Sequence, residues 1–386
     1  MANLLLPGNG GAVAPYTVKN APLPVTKGVP KFNRIAYAAA HVVVDPLADN
    51  SPWLDQAVDW DKTIAFREYL WDLGFGVAEA MDTAQRGMGL DWPGAQELIR
   101  RSLKAAQARG ALVACGAGTD HLTVSDSLTL DDVIKAYEEQ FAFIEGLGGR
   151  IILMASRALA RIAKGPDDYA KVYDRLLSQV KEPVVIHWLG DMFDPALSGY
   201  WGSKDDYAAM DTCLGVLETN ATKIDGIKIS LLSKEKEIDM RRRLPKGVRM
   251  YTGDDFNYAE LIQGDTQGYS DALLGIFDAI APAASAGLSK LAAGDVAGFN
   301  AILEPTVPLS RHIFQAPTRF YKTGVVFLAY LNGLQDHFLM LGGQQSARSL
   351  QHFAELFRLA DSARVLRDPD LATDRMKKLL AVGGIG

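Results

Sequence analysis

From Phe32 onward the chain alternates short apolar runs with longer amphipathic stretches, an order that predicts a parallel sheet with helical crossovers. Eight runs read as strands: Arg34 to Val44, Gly76 to Met81, Leu112 to Cys115, Arg150 to Ala155, Val184 to Trp188, Gly226 to Ser230, Val248 to Thr252 and Ala272 to Phe277. Helical spacing fills the gaps. Trp60 to Leu73 sets Ile64, Leu70 and Leu73 near one face, and Leu130 to Leu147 carries Val133, Ile134, Tyr137, Phe141 and Ile144 at helical intervals. Eight such units favour a closed α/β architecture, the (β/α)8 TIM barrel, over an open doubly wound sheet. No Gly-x-Gly-x-x-Gly follows the first run, and Gly116-Ala117-Gly118 lacks the last glycine of that pattern.

Past Pro282 the pattern is helical only, from Ala284 through Leu359, with turns near Gly294, Pro305 and Gly342-Gly343. The expected organisation is a coil extension over residues 1–31, the barrel over 32–283 and a C-terminal helical region over 284–386. Apolar positions in that last region, such as Phe314, Val325, Phe327 and Leu331, suit either a cover for the barrel or a subunit contact.

The 386 residues carry a net charge of −6, and the only compact basic run, Arg241-Arg242-Arg243, reads as a solvated helix end. Nothing resembles a nucleic-acid stripe or a membrane-binding face. Met1 to Pro7 lacks the basic flank and hydrophobic length of a signal peptide, and no segment reaches membrane-spanning length, so a cytoplasmic protein is expected. Cys115 and Cys213 lie in apolar stretches and read as buried reduced thiols.

The residue with most chemical content is Lys228, in Ile224-Asp225-Gly226-Ile227-Lys228-Ile229-Ser230. Strand side chains alternate faces, so if Ile227 and Ile229 pack against helices, Lys228 points into the barrel. Desolvation there lowers an amine's pKa, the condition for attack on a carbonyl and formation of a Schiff base. A strand lysine is more ordinarily a solvated exit residue or half of an ion pair, and the surrounding sequence decides between these.

That surrounding sequence resembles the dihydrodipicolinate synthase and N-acetylneuraminate lyase superfamily of Schiff-base aldolases, over roughly Arg34 to Leu366. Gly226-Ile227-Lys228 looks like the family's sixth-strand lysine motif, and Tyr251-Thr252-Gly253-Asp254-Asp255 is similar to its seventh-strand Ser-Gly-Asp-Asp element. Gly268 through Pro282 resembles its last strand, and Glu182-Pro183-Val184-Val185-Ile186-His187-Trp188 resembles its fifth, which ordinarily reads Pro-x-x-x-Tyr-Asn. The resemblance implies a barrel with a helical C-terminal extension, imine chemistry at Lys228, a small-molecule substrate and assembly as a homo-oligomer.

Three departures argue against dihydrodipicolinate synthase itself. The fifth-strand tyrosine falls on His187, the second-strand Gly-Thr-Thr-Gly-Glu falls on Met81-Asp82-Thr83-Ala84-Gln85, and the arginine five residues beyond the tyrosine falls on Met192. Losing an arginine fork removes a bidentate carboxylate receptor, and Asp82 repels a carboxylate but accepts from hydroxyls, which suggests a sugar-like substrate. His187 shares the strand parity of Lys228 and has the titration range of a general acid or base.

The preferred expectation is therefore a lyase, aldolase or dehydratase, acting on a sugar-derived ketone or 2-keto acid without a cofactor. Lys228 would form the imine, His187 would move the proton, and Asp82, Thr83 and Asp254 would bind substrate. Two alternatives stand beside it. One is a metal-dependent sugar isomerase or epimerase using a divalent ion among His41, Glu79, Asp82, His121, His187 and Asp254. In this reading His41, after Ala38-Ala39-Ala40, is a third lumen histidine. The other is a non-catalytic barrel that binds a metabolite.

Overall fold

In a computed structural model the described residues are 3–8, 12–24 and 28–385. The parts of the expected N-terminal extension at residues 1–2, 9–11 and 25–27, and residue 386, lie outside them. The chain divides into two compact units. One takes in residues 34–40 and 76–274, the other 1–33, 41–75 and 275–386.

Two strands near the N-terminus, β1 (Asn3–Pro7) and β2 (Val13–Thr17), pair antiparallel. Eight more form a closed parallel barrel: β3 (Ala36–Ala39), β4 (Gly76–Glu79), β5 (Val113–Ala117), β6 (Arg150–Leu153), β7 (Val184–Leu189), β8 (Ile224–Ser230), β9 (Arg249–Thr252) and β10 (Asp271–Leu274). They follow one another in sequence around the ring, and β10 closes on β3. Helices follow the strands: α1 (Trp60–Asp72), α2 (Trp92–Arg109), α3 (Leu130–Gly146), α4 (Arg157–Ile162) and α5 (Pro166–Leu177), α6 (Asp206–Thr219), α7 (Lys234–Arg243) and α8 (Tyr258–Gln263). This is a (β/α)8 barrel followed by C-terminal helices, as the alternating pattern predicts.

Local chemistry sets the boundaries. Asp91 accepts from Gly94 N–H to open α2, and Gly110, with φ of 63°, ends it in the left-handed conformation. At α3, Thr129 and Asp132 close a reciprocal capping box, which satisfies backbone donors otherwise orphaned and is worth about 1 kcal/mol. Inside the ring a buried cluster joins Tyr37, Ala39, Ala78, Met81, Ala114, Ile152, Met154, Val185, Tyr251 and Leu273. Large rings beside alanines let the layers interlock, so the lumen is a packed core and not a pore.

In the other unit, Leu4 and Leu6 alternate inward on β1, a period-two pattern within the segment expected to be coil. Tyr16 donates to Asp361 at 2.7 Å, and the Lys19 and Asn20 amides reach the same carboxylate, tying the hairpin's exit to the helix Leu350–Ser362. Beyond the barrel strands come helices including Ala281–Ala292, Val296–Leu303, Tyr321–Leu331, Leu350–Ser362 and Pro369–Val382. The last of these extends past the helical pattern read from the sequence.

Five of the eight barrel strands, β3, β4, β6, β9 and β10, are shorter than their apolar runs. β3 stops at Ala39 and not at Val44, and β10 stops at Leu274 because a helix begins at Ile276. That helix carries Asp278, a buried carboxylate that accepts from the His41 amide at 2.8 Å and bonds His41 Nδ1 at 2.8 Å. Pulling His41 onto Asp278 takes the chain out of strand geometry. Cys115 and Cys213 are buried free thiols. Arg241, Arg242 and Arg243 end α7, where each finds an aspartate partner. Among the described residues no helix is long and apolar enough to cross a membrane.

Candidate active site

Register places the chemistry. Val185 belongs to the interior cluster, so His187, two residues on, faces the lumen as well. In the β7–β8 ladder Val185 opposes Gly226 and His187 opposes Lys228, and across β8–β9 Lys228 opposes Tyr251, another interior residue. Lys228 therefore points inward near the C-terminal end of its strand, the end at which barrel active sites are built. Ile227 and Ile229, on the other face, are fully buried.

The Lys228 side chain is only 8% exposed. Burial lowers its pKa from the ordinary amine value, with Asp255 and then Asp82 opposing that shift by their charge. No described residue forms a hydrogen bond or close ion pair with the amine. Its Cε runs against Gly253, where a Cβ would lie 2.7 Å from it, so the start of the loop after β9 is open to the lysine only because it is glycine.

His187 is 1% exposed, and Nε2 lies 3.2 Å from Ser230 Oγ. Its Nδ1 is buried without a partner. Burial, and secondly the neighbouring Lys228, hold its pKa well below the usual histidine range, so the ring is neutral at neutral pH. Ser230 ends the same strand as Lys228 and stands beside Gly253.

A cavity of about 90 Å³ reaches His187 and Asp82. Its walls include Met154, Leu122, Val124, Leu189 and Leu197, with Thr119, Arg86, Asp120, Arg157 and Asp194 as further polar groups. Lys228 is not itself on that wall. It neighbours the cavity through His187 across the ladder and through the charge of Asp82. Asp82 opens a short helical turn, Asp82–Ala84, after β4, and Thr83 in that turn is buried.

Arg86, 4% exposed, clamps the loops after β4 and β5. It donates to the carbonyls of Ala80 at 3.2 Å and Gly116 at 2.8 Å, to Gln140 at 2.7 Å, and to both oxygens of Asp120 at 2.9 and 2.8 Å. Burial raises the Asp120 pKa, but the Arg86 charge and hydrogen bonds outweigh it and hold that carboxyl below its usual range.

The remaining candidates are engaged elsewhere. Asp254 accepts from the Phe256 and Asn257 amides at 2.8 and 3.0 Å and from Asn257 Nδ2 at 2.7 Å, so it shapes its own loop. Glu79 faces α2, since Ala78 takes the inward position, and its carboxylate accepts from the Ala80 amide and from Ser102. His121 bonds Gln140 through Nδ1 at 2.8 Å and lies 3.4 Å from Glu139 through Nε2. His41, read from sequence as a lumen histidine, has Asp278 on Nδ1 and Gln335 on Nε2 at 3.0 Å, all within the other unit. Of the six possible metal ligands only Asp82 and His187 share the cavity. Among the described residues no group of three or more His, Cys, Asp or Glu side chains is arranged to hold a metal ion.

Asp255, Ser230, Arg86 and Arg157 are the neighbours that sequence reasoning passes over as site residues. Asp255 has a signal, since it adjoins Gly253 and Asp254 in the loop after β9. Arg157 has none, because it lies on α4, outside every recognised motif.

Fold and site define a (β/α)8 barrel with a buried, unpaired amine beside a neutral imidazole at the C-terminal end of its strands. Residues 4–385 match the family described as "Protein of unknown function (DUF993)", and the chain belongs to that family. No curated protein matches it. Solved structures share the fold. Dihydrodipicolinate synthase from Oceanobacillus iheyensis aligns with a TM-score of 0.64 at 15% identity, over 86% of this chain and 96% of that one. YagE, a prophage protein of the dihydrodipicolinic acid synthase family from E. coli K12 solved with pyruvate, gives 0.63 at 15% identity, over 92% and 99%. Dihydrodipicolinate synthase from Bacillus clausii gives 0.62 at 13% identity, over 85% and 97%.

Proposed function

We propose that the protein is a Schiff-base lyase acting on a ketone or 2-keto acid, a divergent relative of the dihydrodipicolinate synthase barrels. The observation that carries this reading is the Lys228 amine: inward-facing, buried, lowered in pKa and without a bonded partner. A lowered pKa increases the share of the amine that is uncharged and nucleophilic at a given pH, and no other described lysine combines these properties with a lumen position.

The chemistry follows in balanced steps. Lys228 Nζ adds to the carbonyl carbon, a proton passes from nitrogen to the new alkoxide, and a second proton, taken up from solvent by the hydroxyl, lets it leave as water with the nitrogen lone pair forming the iminium. The iminium then accepts an electron pair from an adjacent bond. In an aldol cleavage His187 takes the proton of the β-hydroxyl, the carbon–carbon bond breaks, and its electrons form the enamine. Protonation of the enamine carbon and hydrolysis return the amine. With Nε2–H donating to Ser230, the partnerless Nδ1 has the lone pair that this step needs. Asp82, on the cavity wall, orients the substrate hydroxyl.

Borohydride tests the reading. Incubation with a panel of 2-keto acids and reduction should inactivate the protein irreversibly and add one substrate mass to the peptide containing Lys228. A Lys228→Ala protein that is still labelled and still turns over would remove the proposal.

A further inference from the structure

The cavity ends in a cation the reaction does not use. Arg157, its side chain 44% exposed at the cavity's rim, is bound by one edge only: Nε donates to Asp194 Oδ2 at 2.5 Å, and no described residue accepts from its two η nitrogens. They lie over Gly87, which has φ of +67° and where a Cβ would stand 3.3 Å from Nη1. A side chain at Gly87 would be strained and would crowd the guanidinium edge, so glycine there leaves it bare. The cavity's other arginine, Arg86, is consumed by Asp120, Gln140 and two carbonyls. The cavity that His187 and Arg157 share also has hydrocarbon on its wall, from Met154, Leu122, Leu189 and Leu197.

We infer that Arg157 receives a second carboxylate of the substrate, joined to the reacting carbonyl by a short aliphatic chain. This rests on the imine reading and adds a substrate class to it, a dicarboxylic 2-keto acid. The departures at Asp82 and Met192 suggest from sequence that no carboxylate receptor remains, and the geometry supplies one from a different strand end. A singly charged carboxylate suits the site better than a phosphate, because Asp82, Asp120 and Asp194 already face the same small cavity. The guanidinium fork gives two parallel donors to such a group.

The test compares 2-oxoglutarate with 2-oxopentanoate, the same length of chain without the distal carboxylate, by titration calorimetry. The wild-type protein should bind 2-oxoglutarate more tightly by about 2- to 5-fold, the range of a charge pair whose guanidinium is 44% exposed to solvent. Arg157→Met should bring the ratio of the two affinities to about one, with an unchanged melting temperature and far-UV spectrum reporting an intact fold, and Arg157→Lys should restore part of the preference. An Arg157→Met protein that keeps the wild-type ratio, or a wild-type protein with no preference, overturns the assignment. A phosphono analogue that binds more tightly than 2-oxoglutarate overturns the choice of carboxylate. The same titrations on Lys228→Met separate the two claims, since the preference should survive there without a covalent bond. If borohydride traps neither acid in the wild type, the imine reading fails while the Arg157 comparison remains decided by calorimetry.

Discussion

Glu237, on α7, offers a quantitative test of the barrel's electrostatics. Its side chain is 1% exposed, accepting from Ser270 Oγ at 2.6 Å and Thr252 Oγ1 at 2.9 Å. Burial pushes its pKa up from 4.5 to about 8, helped by the nearby charge of Asp254 and resisted by the two hydroxyls and Arg241. Below pH 4.5 the carboxyl is protonated in both folded and unfolded chains, and its favourable contribution is fully present. Between pH 4.5 and 8 the unfolded chain ionises while the folded one does not, so the unfolded chain binds fewer protons and stability falls as pH rises. At about 1.4 kcal/mol per unit, the shift is worth about 5 kcal/mol by pH 8. Glu237→Gln keeps an acceptor and gains a donor for the two hydroxyls but cannot titrate. Relative to wild type, the variant should therefore gain stability between pH 5 and pH 8 by up to that amount. For a chain of this length it appears as a widening of the melting-temperature gap by about 6 °C. Denaturant unfolding and thermal melts across the pH series measure it, and other titrating groups cancel in the comparison. A gap that stays constant from pH 5 to 8 would refute the reasoning, because it would mean that Glu237 ionises alike in both states.

Two further expectations concern the reaction. His187→Gln carries an amide to the position from which Nε2 contacts Ser230 but removes the base at Nδ1, so kcat should fall by about 10²- to 10⁴-fold with KM little changed, and the acid limb of the wild-type kcat profile should lie below pH 6.5. Asp255→Asn removes the foremost charge that holds the Lys228 amine protonated, so the rising limb of imine formation should move to lower pH and borohydride labelling at pH 6 should increase relative to pH 9. A limb that moves upward, or a His187 variant with wild-type kcat, contradicts these assignments in turn.

The barrel was legible because its signals are local and periodic. Alternation in Val184 to Trp188 and Gly226 to Ser230 is enough to put His187 and Lys228 on one face, and the ladder between them keeps both in register. Departures begin where a long-range partner overrides the local pattern. Ala38-Ala39-Ala40 gives no sign that the next residue will be drawn to Asp278, 237 positions away, so the strand reads too long and His41 reads as a lumen residue. Asp254 and Glu79 end up on neighbouring amides and hydroxyls, contacts that depend on loop conformation and on α2. The bare edge of Arg157 is legible only in three dimensions, since it needs Asp194, from the loop after β7, to hold Nε and Gly87, from the loop after β4, to leave the η nitrogens uncovered.

Whether the Lys228 amine acts as a nucleophile inside the barrel is read directly from crystals soaked with pyruvate or 2-oxoglutarate. Continuous density should run from Nζ to carbon-2 of the acid, with the bound molecule within reach of His187. An amine left unmodified and closed into an ion pair with Asp255 or Asp82, while the keto acid sits elsewhere or not at all, would contradict it.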